Sequence, residues 1–371
     1  MANYEASIAP KFDIMNFIRI DNYRDEAKEI AELYCKTYNI TSLNALTQLS
    51  YPYPEALDPE WIHKKGSSRN VVWKVVTDMR NGAVVGSGTV MLNRENQRAY
   101  VRGVMIDPDY QKYRIGSKVL VNTFREIIQT YRDVIKIFWN ESRTAHSGSQ
   151  KIAEDSGFRP VGLLPNKDIF LEKRESDLLM VLYAMNALKT RRPDPQLIPE
   201  VLPIYNAIAK RFRLDPVTPV HLPKIVSNNV QVKGNIQMDK YLYGHCVYRA
   251  DGEELSFKIN PRTHVAEETC FSRDTDPKTL KTLVKMALDS LQPILYYLEF
   301  YVSAYDPPVQ RVFADLGFQA TGYIPGWEFV DGAREDRIIF SWVKESPALA
   351  TMELTPRARE IVLAAMKEKV I

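Results

Sequence analysis

The sequence predicts an α/β fold (α+β, mixed sheet) built as two tandem domains, each a central mixed, mostly antiparallel sheet flanked by helices. Three observations predict it. The chain has 371 residues, more than one ordinary compact core holds and suited to two. Its first half alternates β-branched runs with helical spacing in the order β-α, a meander of three strands, α, β, α, β-β. Its second half repeats part of the first. Laying the chain on itself without gaps so that Phe158 falls on Phe318 makes eight of the 26 positions from Gln150 to Glu175 identical, among them Asp155/Asp315, Gly157/Gly317, Gly162/Gly322, Arg174/Arg334 and Glu175/Glu335. About one or two such matches would arise by chance, so an internal duplication is the better account.

Met15–Ile20 alternates and reads as a first strand, and Asn22–Tyr38 has helical spacing with Ala27, Ile30, Leu33 and Tyr34 on one face. Asn70–Asp78 and Ala83–Asn93 flank Asn81-Gly82, a hairpin signal because both turn positions tolerate positive φ. Ala99–Ile106 is the next strand and runs into DPDYQKYRIG. The expected elements after it are a helix over Gly116–Thr130, a strand over Val134–Trp139, a short helix over Ser147–Asp155, and strands over Phe158–Leu164 and Leu178–Met185. A basic, proline-marked segment, Lys189–Glu200, separates the second half. The expected domains are therefore 14–186, a linker 187–200, a second domain 201–345 and a helical tail 346–371.

Composition excludes several classes. Hydrophobic residues at 45% and charged residues at 26% are globular proportions, and the formal net charge of +3 predicts neither nucleic-acid nor membrane binding. The basic stretches Lys64–Arg69 and Lys189–Arg192 lack interleaved stacking aromatics. Three scattered cysteines, Cys35, Cys246 and Cys270, form neither a disulfide scaffold nor a zinc pattern. The N-terminus carries acidic residues and no apolar signal region, and no run approaches a membrane span, so a cytoplasmic protein is expected.

The stretch DPDYQKYRIGSKVL carries the chemistry. A strand entering a turn that opens a helix places backbone N–H groups and the helix dipole toward an anion. Gly116 permits the turn, and Lys112, Arg114 and Lys118 surround it with positive charge, which suits a diphosphate. Arg114 stands where a glycine is usual and offers a guanidinium able to grip phosphate bidentately. This strand–loop–helix resembles motif A of the GNAT superfamily, the acyl-CoA-dependent N-acyltransferases, with Gln111, Lys112, Tyr113, Arg114, Ile115 and Gly116 on its six positions and Ser117 next. The resemblance covers residues 14–186 well and about 200–345 as a degenerate copy. It implies acetyl-CoA or another acyl-CoA as co-substrate, with the backbone at Met105 and Ile106 meeting the pantetheine amides. It also implies direct acyl transfer to a primary amine, a small-molecule acceptor first among the candidates.

The proton-handling residues depart from that family's pattern. Tyr100 stands where a strand glutamate is usual, and Ala153 and Phe313 stand where a tyrosine is usual. His146, at a helix start, has an imidazole suited to a base near neutral pH, so His146 and Tyr100 are the catalytic candidates. Glu141 and Ser142 follow the predicted strand, where they either reach the acceptor or, the preferred reading, form a solvated loop. No metal site is expected. In the second half the loop is replaced by FSRDTDP (Phe271–Pro277), without glycine, so that copy does not hold the same ligand in the same way. The aromatic stretches Ile294–Gln310 and Thr321–Gly332 read as a domain interface before an acceptor pocket. The tail from Thr355 has an N-cap, a proline at the first turn and an apolar stripe, which leaves docking on the body or in a homodimer open. The alternative class is a non-catalytic CoA-sensing or scaffold protein.

Overall fold

The computed structural model describes residues 14–40, 51–113, 115–116 and 121–366. Its N-terminal half holds strands β1 (Ile18–Asn22), β2 (Val71–Asp78), β3 (Ala83–Asn93), β4 (Arg98–Ile106), β5 (Ile137–Arg143), β6 (Arg159–Phe170) and β7 (Lys173–Tyr183). Helices α1 (Ala27–Thr37), α2 (Pro59–Gly66), α3 (Pro108–Gln111), α4 (Val121–Tyr131) and α5 (Gly148–Asp155) lie between them. The C-terminal half opens with α6 (Leu202–Phe212). Its strands are β8 (Lys233–Met238), β9 (Gly244–Ala250), β10 (Glu253–Asn260), β11 (Val265–Phe271), β12 (Tyr297–Ser303), β13 (Gln319–Val330) and β14 (Ala333–Val343), with α7 (Pro277–Leu291), α8 (Pro307–Asp315) and α9 (Pro356–Ala365).

These strands join one sheet in the order β1-β2-β3-β4-β5-β7-β6-β13-β14-β12-β11-β10-β9-β8. Read inward from either edge the order is the same, and among the described residues each half has one parallel pair, β4–β5 and β11–β12. The offset that sets Phe158 on Phe318 also sets β5, β6 and β7 on β12, β13 and β14, end on end. The halves meet where Gly162 of β6 pairs with Gly322 of β13. A Cβ on Gly162 would stand 2.9 Å from the Gly322 Cα, so only glycine lets the strands approach here. One continuous apolar core runs through both halves, from Val76 and Phe138 to Phe300 and Phe340, and a smaller one lies under α1 and α2.

Several elements differ from expectation. Asn22 still pairs with Lys74 in β1, so the first helix begins only at Ala27. Helix α2, capped by Asp58, was not foreseen. Strand β5 begins at Ile137, later than expected, and carries Glu141 and Ser142 within it, correcting their reading as a solvated loop. The hairpin β6–β7 is longer at its turn end than the expected pair. Its turn, Leu171-Glu172, has φ of 51° and 65°. The polar run Asn166–Asp177 looks like loop, but Lys167, Asp168, Glu175 and Asp177 are buried, and Lys167 and Glu175 pair across strands, while Glu172 and Lys173 at the turn meet water. The 189–200 segment is packed, with Leu197 and Ile198 fully buried and Arg191 on Asp336 at 2.8 Å. The tail helix α9 is capped by Thr355, which accepts from Ala358 N at 3.2 Å, and it docks on the first half through Gln150, whose Oε1 accepts from Thr355 N at 3.1 Å. No described helix is long and apolar enough to cross a membrane.

Candidate functional site

Strands β4 and β5 pair in parallel over Arg98–Tyr100 and Ile137–Trp139 and then diverge. On its other side β4 stays paired with β3 out to Ile106, through a bulge opposite Ser87–Thr89. Gly103 makes that bulge at φ +60°, and a Cβ there would run into the Tyr34 hydroxyl. The splay leaves the β5-facing edge of residues 101–106 without a strand partner, and Met105 and Ile106 are buried along it.

Beyond the strand, Asp107 caps the single turn of α3 by accepting from Asp109 N at 2.9 Å. Lys36 braces that turn on Asp107 and Asp109 at 2.8 and 2.7 Å. Gln111 donates to the Ile106 carbonyl at 3.1 Å, tying the loop back to the strand end. Lys112 lies over the Tyr113 ring, both exposed, while Ile115 is fully buried and Gly116 half-buried. Arg114, Ser117 and Lys118 lie outside the described residues.

At the mouth of the splay Tyr100 donates to Glu141 Oε2 at 3.2 Å, linking β4 to β5. Burial, reinforced by Glu141, holds the Tyr100 phenol well above its usual range, so it keeps its proton. Glu141 Oε1 takes Lys167 Nζ at 2.9 Å, and the same ammonium meets Glu267 at 3.2 Å and Glu299 at 3.3 Å, both from the second half. Burial alone would discharge Lys167, which is 2% exposed; its three carboxylates reverse that and push its pKa well up. Beside it Asp168 accepts from the Tyr53 hydroxyl at 3.0 Å, and burial raises its pKa to about 7. Arg143 forks onto Glu175 at 2.9 and 2.6 Å. Asp177, opposite Arg143 in the β5–β7 register, is buried with an Oδ2 that has no hydrogen-bond partner among the described residues, and burial holds it well above the carboxylate range.

Trp139, Glu141 and Arg143 alternate onto the sheet face that carries α1 and α2, and the register puts Tyr100, Asp168, Glu175 and Asp177 on that face too. Tyr34, Tyr38, Tyr51, Tyr53 and Phe170 cover it, with ring centroids 4.4 to 6.3 Å apart. The second half anchors this cover: Tyr243 donates to Glu55 at 2.8 Å and Asn260 to the Pro52 carbonyl at 2.9 Å. These contacts place Tyr53 over Asp168.

Of the two catalytic candidates, Tyr100 belongs to this network. His146 stands at the start of α5 near Arg143 and Glu175; its surface is exposed, yet crowding of the imidazole by its neighbours and the Arg143 charge lower its pKa, so it is neutral near pH 7. Among the described residues no group of His, Cys, Asp and Glu could hold a metal ion.

Residues 28–158 match the family model described as "Acetyltransferase (GNAT) family". The match runs from α1 through α5, a stretch shorter than half of the chain. Among solved structures it resembles spermidine N-acetyltransferase from Vibrio cholerae in complex with CoA and spermine at 14% identity, covering 47% of this chain and 99% of that one, with a TM-score of 0.37. It also resembles ribosomal-protein-S5-alanine acetyltransferase from Vibrio fischeri (13% identity, 46% and 94% covered, TM-score 0.37). A third is the ribosomal-protein-S18-alanine N-acetyltransferase from Escherichia coli (17%, 45% and 94%, TM-score 0.34). No curated protein matches the chain.

Sequence reasoning missed Tyr53, Lys167, Asp168, Asp177, Glu267 and Glu299. The Gln111–Gly116 stretch could not reveal them, since they come from a hairpin, a segment before α2 and the second half. One signal was present: the internal repeat sets Lys167 against Trp327 and Asp177 against Arg337, changes of character among the glycines and prolines that the two copies share.

Proposed function

We propose that residues 14–186 move an acyl group from acyl-CoA directly to a primary amine, and that residues 201–345 are a degenerate GNAT-like copy that completes the site. The observation that carries this reading is the splay of β4 from β5, with Tyr100 and Glu141 across its mouth and the Gln111–Gly116 loop at its far end. The unpaired edge at residues 101–106 suits the extended, amide-bearing pantetheine arm. Lys112 and the turn at Gly116 suit its diphosphate.

The thioester supplies an activated acyl carbon. The neutral amine attacks it, a C–N bond forms, the C–S bond breaks, the thiolate takes a proton, and the proton released by the new amide nitrogen restores the group that gave it. Tyr100, which burial keeps protonated, is placed to give that proton. The proton that leaves the acceptor's ammonium goes to a carboxylate of the buried network rather than to His146, which stands outside it. Holding both reactants across the splay supplies much of the rate by proximity.

The test is the melting temperature of the full chain with CoA and acetyl-CoA, for wild type and Gly116→Asp. A rise that the substitution abolishes, followed by thiol release with an amine panel, is expected. No rise at millimolar ligand would return the chain to the scaffold class.

A further inference from the structure

The apex of the splay is built differently in the two halves. Past the last parallel pair, Tyr100–Trp139, the next residue of β5 is Asn140, on the sheet face opposite Glu141. The repeat sets Asn140 against Phe300, Ser142 against Val302 and Ala153 against Phe313. Phe300 lies on Phe313 of α8 with ring centroids 4.6 Å apart. Phe271, at the end of β11, lies 6.2 Å from Phe300 and 6.1 Å from Phe313. Three rings thus bridge the second splay from strand to strand. In the first half an amide, a hydroxyl and a methyl group stand in the places of Phe300, Val302 and Phe313.

Asn140 and Ser142 form an oriented pair. Ser142, 3% exposed, donates its hydroxyl to Asn140 Oδ1 at 3.0 Å, and the Asn140 Nδ2 group donates to no described residue. Phe300 faces α8, so Asn140 faces α5, the helix that the repeat sets in its place. Helix α5 packs beside α4, where Arg125 donates to the Asp155 carbonyl at 3.2 Å, and α4 follows the Gln111–Gly116 loop. Resting on the acyl-transfer reading above, we infer that Asn140 donates to the thioester carbonyl oxygen and that Ser142 is the residue that positions it. The acyl carbon lies in the gap between β4 and β5. Pantetheine reaches it from the α4–α5 face, and the amine from the α1–α2 face, where Tyr100 and Glu141 stand. Attack moves the carbonyl π pair onto oxygen; the same pair re-forms the C=O as the C–S bond breaks, and sulfur leaves with the bonding pair. Asn140 holds the oxygen through this change and transfers no proton. A neutral amide preset toward that oxygen stabilises the charge as it develops. Phe300 offers no donor in the corresponding place.

The test needs no acceptor. Infrared difference spectra of the full chain with acetyl-CoA labelled at its carbonyl carbon report hydrogen bonding to that oxygen directly. The wild-type band is expected at lower frequency than in Asn140→Leu, which keeps the size of the side chain and loses the donor. Ser142→Ala keeps the amide and frees its orientation, so a weaker displacement is expected. Wild type should also bind acetyl-CoA roughly fivefold tighter than S-ethyl-CoA, a thioether of the same length, the scale of one neutral hydrogen bond. Asn140→Leu should bind the two alike. With an accepted amine in hand, thiol release by Asn140→Leu should fall about 100-fold. An unmoved band in Asn140→Leu, with acetyl-CoA bound to both proteins, would overturn the role of Asn140 and leave the acyl-CoA reading standing. Failure of the wild type to bind acetyl-CoA would overturn both.

Discussion

Lys167 and Trp327 stand at matching places of the repeat in β6 and β13, and each reaches across the junction of the halves. Around Lys167 are Glu141, Glu267 and Glu299; around Trp327 are Tyr301, stacked at 5.8 Å, and Trp139, edge-on at 5.5 Å, which stacks in turn on Tyr100 at 3.9 Å. The parallel registers make these sets equivalent position by position: Glu141 with Tyr301, Glu299 with Trp139, Glu267 with Tyr100. One fold thus fills the same space once with a buried ion cluster and once with aromatic rings. Aromatic packing gains from area removed from water and needs no partner of fixed charge. The ion cluster gains little net stability, since desolvation offsets attraction. The ion cluster lies beside the splay, in the half that matches the GNAT family model, and the aromatic cluster takes the corresponding place in the other half.

The largest effect that separates the two clusters should come from Lys167→Met. It strands three buried carboxylates, and a cost of about 3–5 kcal/mol is expected in chemical denaturation at pH 7.5. Part of that loss should return below pH 5, where the stranded acids protonate. A cost under about 1 kcal/mol, as for a surface pair, would sink the view of the cluster as a buried unit.

Asp168 gives the next effect, through pH. Its folded pKa, raised to about 7 by burial, lies above its unfolded value near 4. Between those values the folded state holds a proton that the unfolded state has released, so this group's stabilising contribution is whole below about pH 4 and is lost as pH rises through about 7. The stability of wild type minus that of Asp168→Asn should therefore fall from pH 5 to pH 8, by no more than about 4 kcal/mol. An unchanged difference would mean that Asp168 is not so buried in solution. The aromatic cluster has no such group and supplies the control, since Trp327→Phe should shift stability equally at both pH values.

At the junction itself Gly162→Val places a branched side chain against Gly322 and Ile339, and a loss of about 1–3 kcal/mol is expected by denaturation. The same change should lower any acyl transfer, because Glu267, Glu299 and the Tyr243 anchor reach the first half only while the sheets are joined. A stable variant with full activity would show that the second half is dispensable to the site.

How much of this was legible in the sequence follows from how local each feature is. Strand β3 and the Asn81-Gly82 turn were readable because alternation and turn chemistry act within a few residues. Strand β4, which ends at Ile106 before the Gln111–Gly116 stretch, was readable for the same reason. The strand order repeated in the sheet echoes the glycine, proline and aspartate identities of the internal repeat. The charged hairpin was not readable: Asn166, Lys167, Asp168 and Glu175 have loop composition, and only partners such as Tyr53, Glu141, Glu267 and Glu299 make burial tolerable. A window along the chain does not see partners so distant in sequence.

The smallest and most selective effect is expected from Tyr53→Phe. It removes the hydrogen bond to Asp168 and keeps the ring that Arg102 covers at 4.8 Å, so a stability change of about 1 kcal/mol is expected. That hydrogen bond favours the charged carboxylate, so its loss raises the Asp168 pKa further. Any pH profile governed by Asp168 should then move to higher pH, with its plateau little changed. The equivalent test in the aromatic cluster, Tyr301→Phe, leaves the Tyr53 hydrogen bond to Asp168 in place and should leave the profile where it was. If both substitutions moved the profile alike, the two clusters would act as one coupled unit, and the division between a working and a supporting half would give way.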